Sequence, residues 1–360
     1  MPFRRRSVLI IALALLGLFC VALSAVLGLV AVRRLADTQG TSPQVTLAPL
    51  TAANASTVSL LASLEGHEGA VRSLAFAPDG AALASASFDG SVRLWRVAPA
   101  ASDPDLIRVF SAQDQALRTV AYAPDGRTLA AGSFQGAILL WETETGAVRD
   151  VLQGQEGAIN GIDISPDGAL LASGAGDGTV WLWDLNADGT PHRSLQGHPA
   201  GVMGVRFDPQ GATLASAARD HTVRLWMVDS PVGASTVLAR HDSWVYDVDF
   251  SPNGAIVGSA SVDHSLRLWQ QDDAQTSRQL QGHEAIVYSL DFSPNGELLA
   301  SASADGVVRL WRLTDATTLL TLPQFPGNVL SVAFSPDGTL LATAGSDGVV
   351  RLWGIMADEE

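Results

Sequence analysis

Lysine is absent from the 360-residue chain, and cysteine occurs once, at Cys20. One thiol excludes an intrachain disulfide, a thiolate metal site and a redox pair. Positive charge is scarce: 22 basic residues face 37 acidic ones, for a net charge of −15. Five of the 22 (Arg4, Arg5, Arg6, Arg33 and Arg34) bracket one apolar segment, leaving 17 for the rest of the chain. So acidic a surface repels phosphate backbones, and nucleic acid is not expected as a partner. Phosphate loops, dinucleotide fingerprints and nucleophile elbows are missing. Asn186–Ala187–Asp188–Gly189 lacks the ligand series of a calcium loop. No cofactor and no metal is expected.

Long uncharged runs are also few, and one of them stands out. Residues 7–32, SVLIIALALLGLFCVALSAVLGLVAV, carry no charge. As a helix they would reach roughly 39 Å, enough to cross a hydrocarbon core of about 30 Å with tilt. The small-residue pattern Ala22–Leu23–Ser24 lies inside the run rather than after it, and Phe19 precedes Cys20. The segment therefore reads as an uncleaved signal anchor, a single-pass transmembrane helix, behind a short basic N-terminus at 1–6. Three arginines before it and two after it place the N-terminus inside and the remainder outside the cytoplasm. Residues 33–56, small, polar and holding two prolines, read as a flexible linker, and 355–360 as an acidic tail.

What is abundant is repetition. FSPDGTLLATAGSDGVVRLW at 334–353 nearly copies FSPNGELLASASADGVVRLW at 292–311. Aligned on Trp95, Trp141, Trp183, Trp226, Trp269, Trp311 and Trp353, seven copies follow at spacings of 46, 42, 43, 43, 42 and 42. Each holds a Pro-containing turn such as SPDG at 335–338, a strand, a second turn such as ADGV at 304–307, and a strand ending in Trp. A four-stranded unit of this kind is marginal alone; radial repetition buries both its faces. The period, the Gly-His pairs at 66–67, 197–198 and 282–283, and the closing Trp resemble the WD-repeat β-propeller family. The Trp-Asp pair itself stands only at Trp183–Asp184. The fold expected is all-β, a seven-bladed propeller over 57–354 preceded by one transmembrane helix. The resemblance implies that the apolar run 57–64 completes the last blade and closes the ring.

Counting from His67, an Asp follows at +22 and a Trp at +28, and these offsets hold in every repeat, whatever residue fills the slot. The set is complete four times: His67/Asp89/Trp95, His198/Asp220/Trp226, His241/Asp263/Trp269 and His283/Asp305/Trp311. With Ser85 or Ser87 nearby, the pattern suggests a nucleophile, a base and an orienting group. Catalysis needs such a device once; four copies at one spacing argue for structure. The resemblance gives the same role, a network pinning the loop before the first strand to the turn before the Trp strand. Gln113 and Gln135, Gln155, and Phe325 depart from it in repeats 2, 3 and 7. His221 and His264 follow the turn Asp in adjacent repeats and lack a third ligand.

If the frame is common to all repeats, specificity belongs to positions that differ. Five residues after the His slot stand Arg72, Arg118, Asn160, Met203, Tyr246, Tyr288 and Leu330. Just before the turn Asp stand Phe88 and Phe134 in repeats 1 and 2; Trp244 and Ile286 share a slot elsewhere filled mostly by Ala or Gly. The resemblance puts these on the rim that usually meets partners. Arg72, Phe88, Arg118, Phe134, Met203, Trp244, Tyr246, Ile286, Tyr288 and Leu330 are therefore the candidate contacts for a protein or peptide. The function expected is a non-catalytic, membrane-tethered interaction scaffold. The alternative is an extracytoplasmic propeller that binds a small ligand, or catalyses, in its central channel. That alternative calls for polar residues converging from several repeats, and the non-repeating positions read instead as aromatic, aliphatic or Arg.

Overall fold

The computed structural model describes residues 46–97, 104–112, 115–187, 191–230, 235–271 and 273–357. The expected transmembrane segment 7–32, most of the linker, Gln113 and residues 358–360 lie outside them. Among the described residues no helix is long and apolar enough to cross a membrane.

Seven antiparallel sheets follow one another, six of four strands and the last of five. In blade 1 the strands run Val71–Phe76, Ala82–Ser87, Ser91–Arg96 and Asp105–Ser111, from the inside outward. Two tight turns set this meander. In the first, the Gly80 N–H donates to the Ala77 carbonyl and Gly80 takes φ 70°, a left-handed value that glycine adopts without a steric penalty. The inner strand of each blade packs on that of the next, and the seventh meets the first, so the ring is closed.

The core lies between blades. Ala84, Val92 and Phe110 of blade 1 pack with Leu117, Leu129 and Trp141 of blade 2, and such a cluster recurs around the ring. The small residues of each second strand let neighbouring sheets approach, while each Trp fills the gap. Trp141, Trp183, Trp226 and Trp311 are fully buried.

Blade 7 takes its outer strand from the start of the described chain. Ser59–Leu64 pairs antiparallel with Val350–Met356, setting Leu60 against Trp353 and Leu64 against Val350. A second segment continues along the same edge, Leu47 opposite Met356 and Ala48 opposite Ile355. This corrects the expectation of a free linker up to residue 56 and of a tail from 355. Leu50 and Ala55 are buried with Leu341 and Trp353. The Leu50 N–H donates to the Gly338 carbonyl, Asn295 Nδ2 donates to the Leu50 carbonyl, and the Ala52 N–H donates to Glu297. The apolar Leu47 and Leu50 and the paired backbone outweigh the turn-like composition of the segment.

Candidate functional site

Each His-containing set forms one chain of hydrogen bonds. In blade 1, Trp95 Nε1 donates to Ser85 Oγ at 2.8 Å, and Ser85 Oγ lies 2.7 Å from His67 Nε2. His67 Nδ1 lies 2.8 Å from Asp89 Oδ2. The polarity follows from the ends: indole can only donate and carboxylate only accept, so the serine donates to Nε2 and Nδ1–H donates to the aspartate. Burial lowers the His67 pKa more than Asp89 raises it, in keeping with a neutral imidazole. The same geometry recurs at His198/Ser216/Trp226, His241/Ser259/Trp269 and His283/Ser301/Trp311.

The hydroxyl 18 positions after the His slot is thus the hub of the network. In two of the blades without His, 3 and 7, the hub remains, whereas blade 2 carries Ala131 in its place. Gln155 accepts from Ser173, which also accepts from Trp183. In blade 7 Thr343 accepts from Trp353, whose ring packs on Phe325 at 5.7 Å between centroids. With these serines buried and engaged, the His–Ser–Asp sets present no nucleophile. His221 and His264 occupy left-handed turn positions, at φ 70° and 69°, and among the described residues no three His, Cys, Asp or Glu side chains are placed so that they could hold a metal ion.

The central channel holds what the sequence reading missed. An internal cavity of about 380 Å³ is lined by the seven inner strands. Eight residues after each His slot, blades 3–6 carry Asp163, Arg206, Asp249 and Asp291, where the other three carry Ala. Asp247 adds a fourth carboxylate. Arg206 reaches Asp249 at 3.2 Å and Asp163 at 3.7 Å. Each carboxylate also accepts a backbone N–H from the next blade: Asp163 from Phe207, Asp247 from Leu290, Asp249 from Phe292 and Asp291 from Phe334. Ser73, Thr119, Ser289 and Ser331 serve the same purpose elsewhere, accepting from Val120, Ile162, Val332 and Leu74. The inner strands are sheet edges, and these side chains satisfy N–H groups that the ladder leaves open.

Burial raises the pKa of all four channel carboxylates, with Arg206 opposing. Asp247 is pushed up to about 6, and Asp291, beside Asp249, well above the usual range. This is the convergent polar cluster that seemed missing from the sequence. Its signal was present at a non-repeating position, but only the ring brings four blades to one axis.

The ten rim candidates separate into three groups. Phe88, Phe134 and Trp244 are exposed, at 43 %, 55 % and 41 %. Their backbones bridge turn and entry loop: the Phe88 N–H donates to the Ala70 carbonyl, Phe134 to Ala116, and Val262 to the Trp244 carbonyl. Ile286 is half-buried in the same kind of loop. Arg72, Arg118, Tyr246 and Tyr288 surround the channel mouth. Arg72 crosses from blade 1 to lie 5.5 and 5.3 Å from the ring centres of Tyr246 and Tyr288, themselves 5.0 Å apart. Met203 and Leu330 are buried, 4 % and 9 % exposed; they pack the mouth and are not exposed rim contacts. Arg219, absent from the sequence-derived contacts, lies over Trp244 at 4.9 Å, and Arg118 over Phe134 at 5.6 Å.

Seven antiparallel sheets, the last completed by Ser59–Leu64, define a seven-bladed β-propeller. The family described as WD40, WD domain, G-beta repeat, matches residues 58–96, 104–142, 146–184, 189–227, 234–270, 274–312 and 317–354. The chain belongs to the WD40 repeat family, whose propellers commonly serve as protein-interaction scaffolds. A search of curated proteins finds no match to it.

Proposed function

We propose that this propeller is a non-catalytic scaffold that binds a protein or peptide on the rim carrying its turn and entry loops, and that residues 7–32 tether it to a membrane with the propeller outside the cytoplasm. The observation that carries the reading is the rim itself. Three exposed aromatic side chains, Phe88, Phe134 and Trp244, stand on loops of a rigid frame, two of them with an Arg stacked against the ring. Aromatic and Arg side chains dominate interface hot spots because they bury much area and retain a polar handle. The uncharged length of 7–32 supports the tether. The test compares full-length chain extracted from membranes with a Phe134→Ala/Trp244→Ala variant of unchanged melting temperature. A partner present only with the unsubstituted chain is expected; identical partners for both would overturn the rim reading. Release of the chain from membranes by alkaline carbonate would remove the tether.

The polar cluster supports a second reading, a ligand in the channel. Asp163, Asp247, Asp249 and Asp291 gather there with Arg206, the convergent polar group that a channel ligand would need. Each carboxylate is already engaged by a neighbouring strand, so the cluster also has a structural task, and the rim reading is preferred.

A further inference from the structure

A guanidinium seeks a carboxylate, and in a chain with 37 acidic residues one is seldom far away. The channel mouth departs from this. Arg72, Arg118 and Arg219 form no ion pair among the described residues. Arg72 donates to the Leu330 carbonyl at 3.3 Å and Arg219 to the sulfur of Met203 at 3.3 Å. Among the described residues Arg118 is held by the face of Phe134 alone, and its Nε is buried without a partner. The three charges are close enough to act on each other: burial first, then Arg72 and Arg219, lower the Arg118 pKa to about 10. Such a cluster is unfavourable by itself, and a single anion would relieve both the repulsion and the open donors.

A second feature says what carries the anion. Asn160, in the same mouth, donates Nδ2–H to the Val202 carbonyl at 2.7 Å, which fixes the orientation of its amide. Its Oδ1 is then a buried acceptor with no partner. A bare anion has no proton to offer it, whereas a peptide has a backbone N–H. The net charge of the chain disfavours an acidic tract, since repulsion grows with each added charge. It does not disfavour one acid among neutral residues.

We propose that the channel mouth docks one carboxylate side chain of an extended partner peptide, with Arg118 as the principal contact, Arg72 and Arg219 beside it, and Asn160 Oδ1 accepting a peptide N–H. This rests on the rim-binding reading and names the partner's chemistry. Phe134 and Trp244 then flank the bound acid and face apolar neighbours in the peptide.

The probe is an array of twelve-residue peptides of Ser, Ala and Phe with Glu, Gln, phosphoserine or Lys at the centre, incubated with labelled full-length chain in detergent. Retention on Glu peptides is expected to exceed that on Gln peptides by about tenfold or more. Arg118→Gln should erase the difference, and Arg118→Lys should keep part of it. Should Arg118→Gln not fold, Arg219→Gln serves for the same comparison with a smaller loss expected. Equal retention of Glu and Gln, or a Glu preference that outlasts Arg118→Gln, would overturn the proposal. Phosphoserine retained well above Glu would overturn its carboxylate assignment. Natural partners lost with Trp244→Ala but kept by Arg118→Gln would refute this inference and leave the rim reading intact. Partners kept by both variants would remove the rim reading itself.

Discussion

At the scale of single residues, one serine hydroxyl joins an indole to an imidazole or amide in five of the seven blades. Replacing it strands two polar groups in the interior at once. Ser301→Ala should therefore cost about 1–3 kcal/mol in urea unfolding, since Trp311 Nε1 and His283 both lose their partner. A cost near zero would show that the network is dispensable. The charged residues of the channel make a pH-dependent prediction. The raised carboxylates bind protons in the folded state at pH values where the unfolded chain has released them. Their contribution to stability therefore falls as pH rises above the usual carboxylate range, through about 6 in the case of Asp247. Arg206 offsets the charge left once they ionise. Arg206→Gln should cost about 3–5 kcal/mol at pH 7.5 and clearly less at pH 5. Equal costs at the two pH values would mean that the carboxylates are not charged against Arg206. Asp305 behaves in the opposite sense: burial would raise it, but hydrogen bonding and charge from His283 hold it at about 2. Its contribution is present above about pH 4 and is lost as pH falls toward 2.

At the scale of elements, the blades are joined by two devices. Apolar clusters span each pair of neighbours, and polar side chains of one inner strand accept the open N–H groups of the next. The segment before the first blade joins the first device. Leu50 is fully buried beside Trp353, far along the chain. Leu50→Ala should lower stability by about 2–5 kcal/mol, the cost of a buried cavity, in thermal or urea unfolding. A change within about 0.5 kcal/mol, as at a surface site, would return the segment to the status of a linker.

At the scale of the molecule, closure is the critical feature. Val350–Met356 ends the chain's last blade, and among the described residues its outer edge is covered by Ser59–Leu64 and Leu47–Ala48. A chain shortened to begin at Gly66 would expose that edge, which invites pairing with another copy. It should elute as dimers or aggregates in size-exclusion chromatography; a monomer of unchanged melting temperature would contradict the role assigned to the closing strand. Closure also makes the rim rigid, so loops from distant parts of the chain hold fixed relative positions.

Much of this was legible in the sequence because a propeller writes its frame seven times. The period, the turns and the offsets from His67 to Asp89 and Trp95 are local features, and local geometry dictates them whatever the neighbours do. The separation of frame from variable positions was legible for the same reason, and it pointed to Trp244, Phe134 and Arg118. The sequence could not show that Arg72 crosses the channel to Tyr246 and Tyr288, that Met203 and Leu330 are buried, or that Asp163, Arg206, Asp249 and Asp291 meet. Nor could it show that Leu47 and Leu50 leave the linker and cover the last blade. These facts depend on contacts between residues tens to hundreds of positions apart, which exist only once the ring has closed. Repetition along the chain determined the blade; the tertiary structure decided which unlike residues face one another across the axis, because closure alone brings separate blades within contact distance.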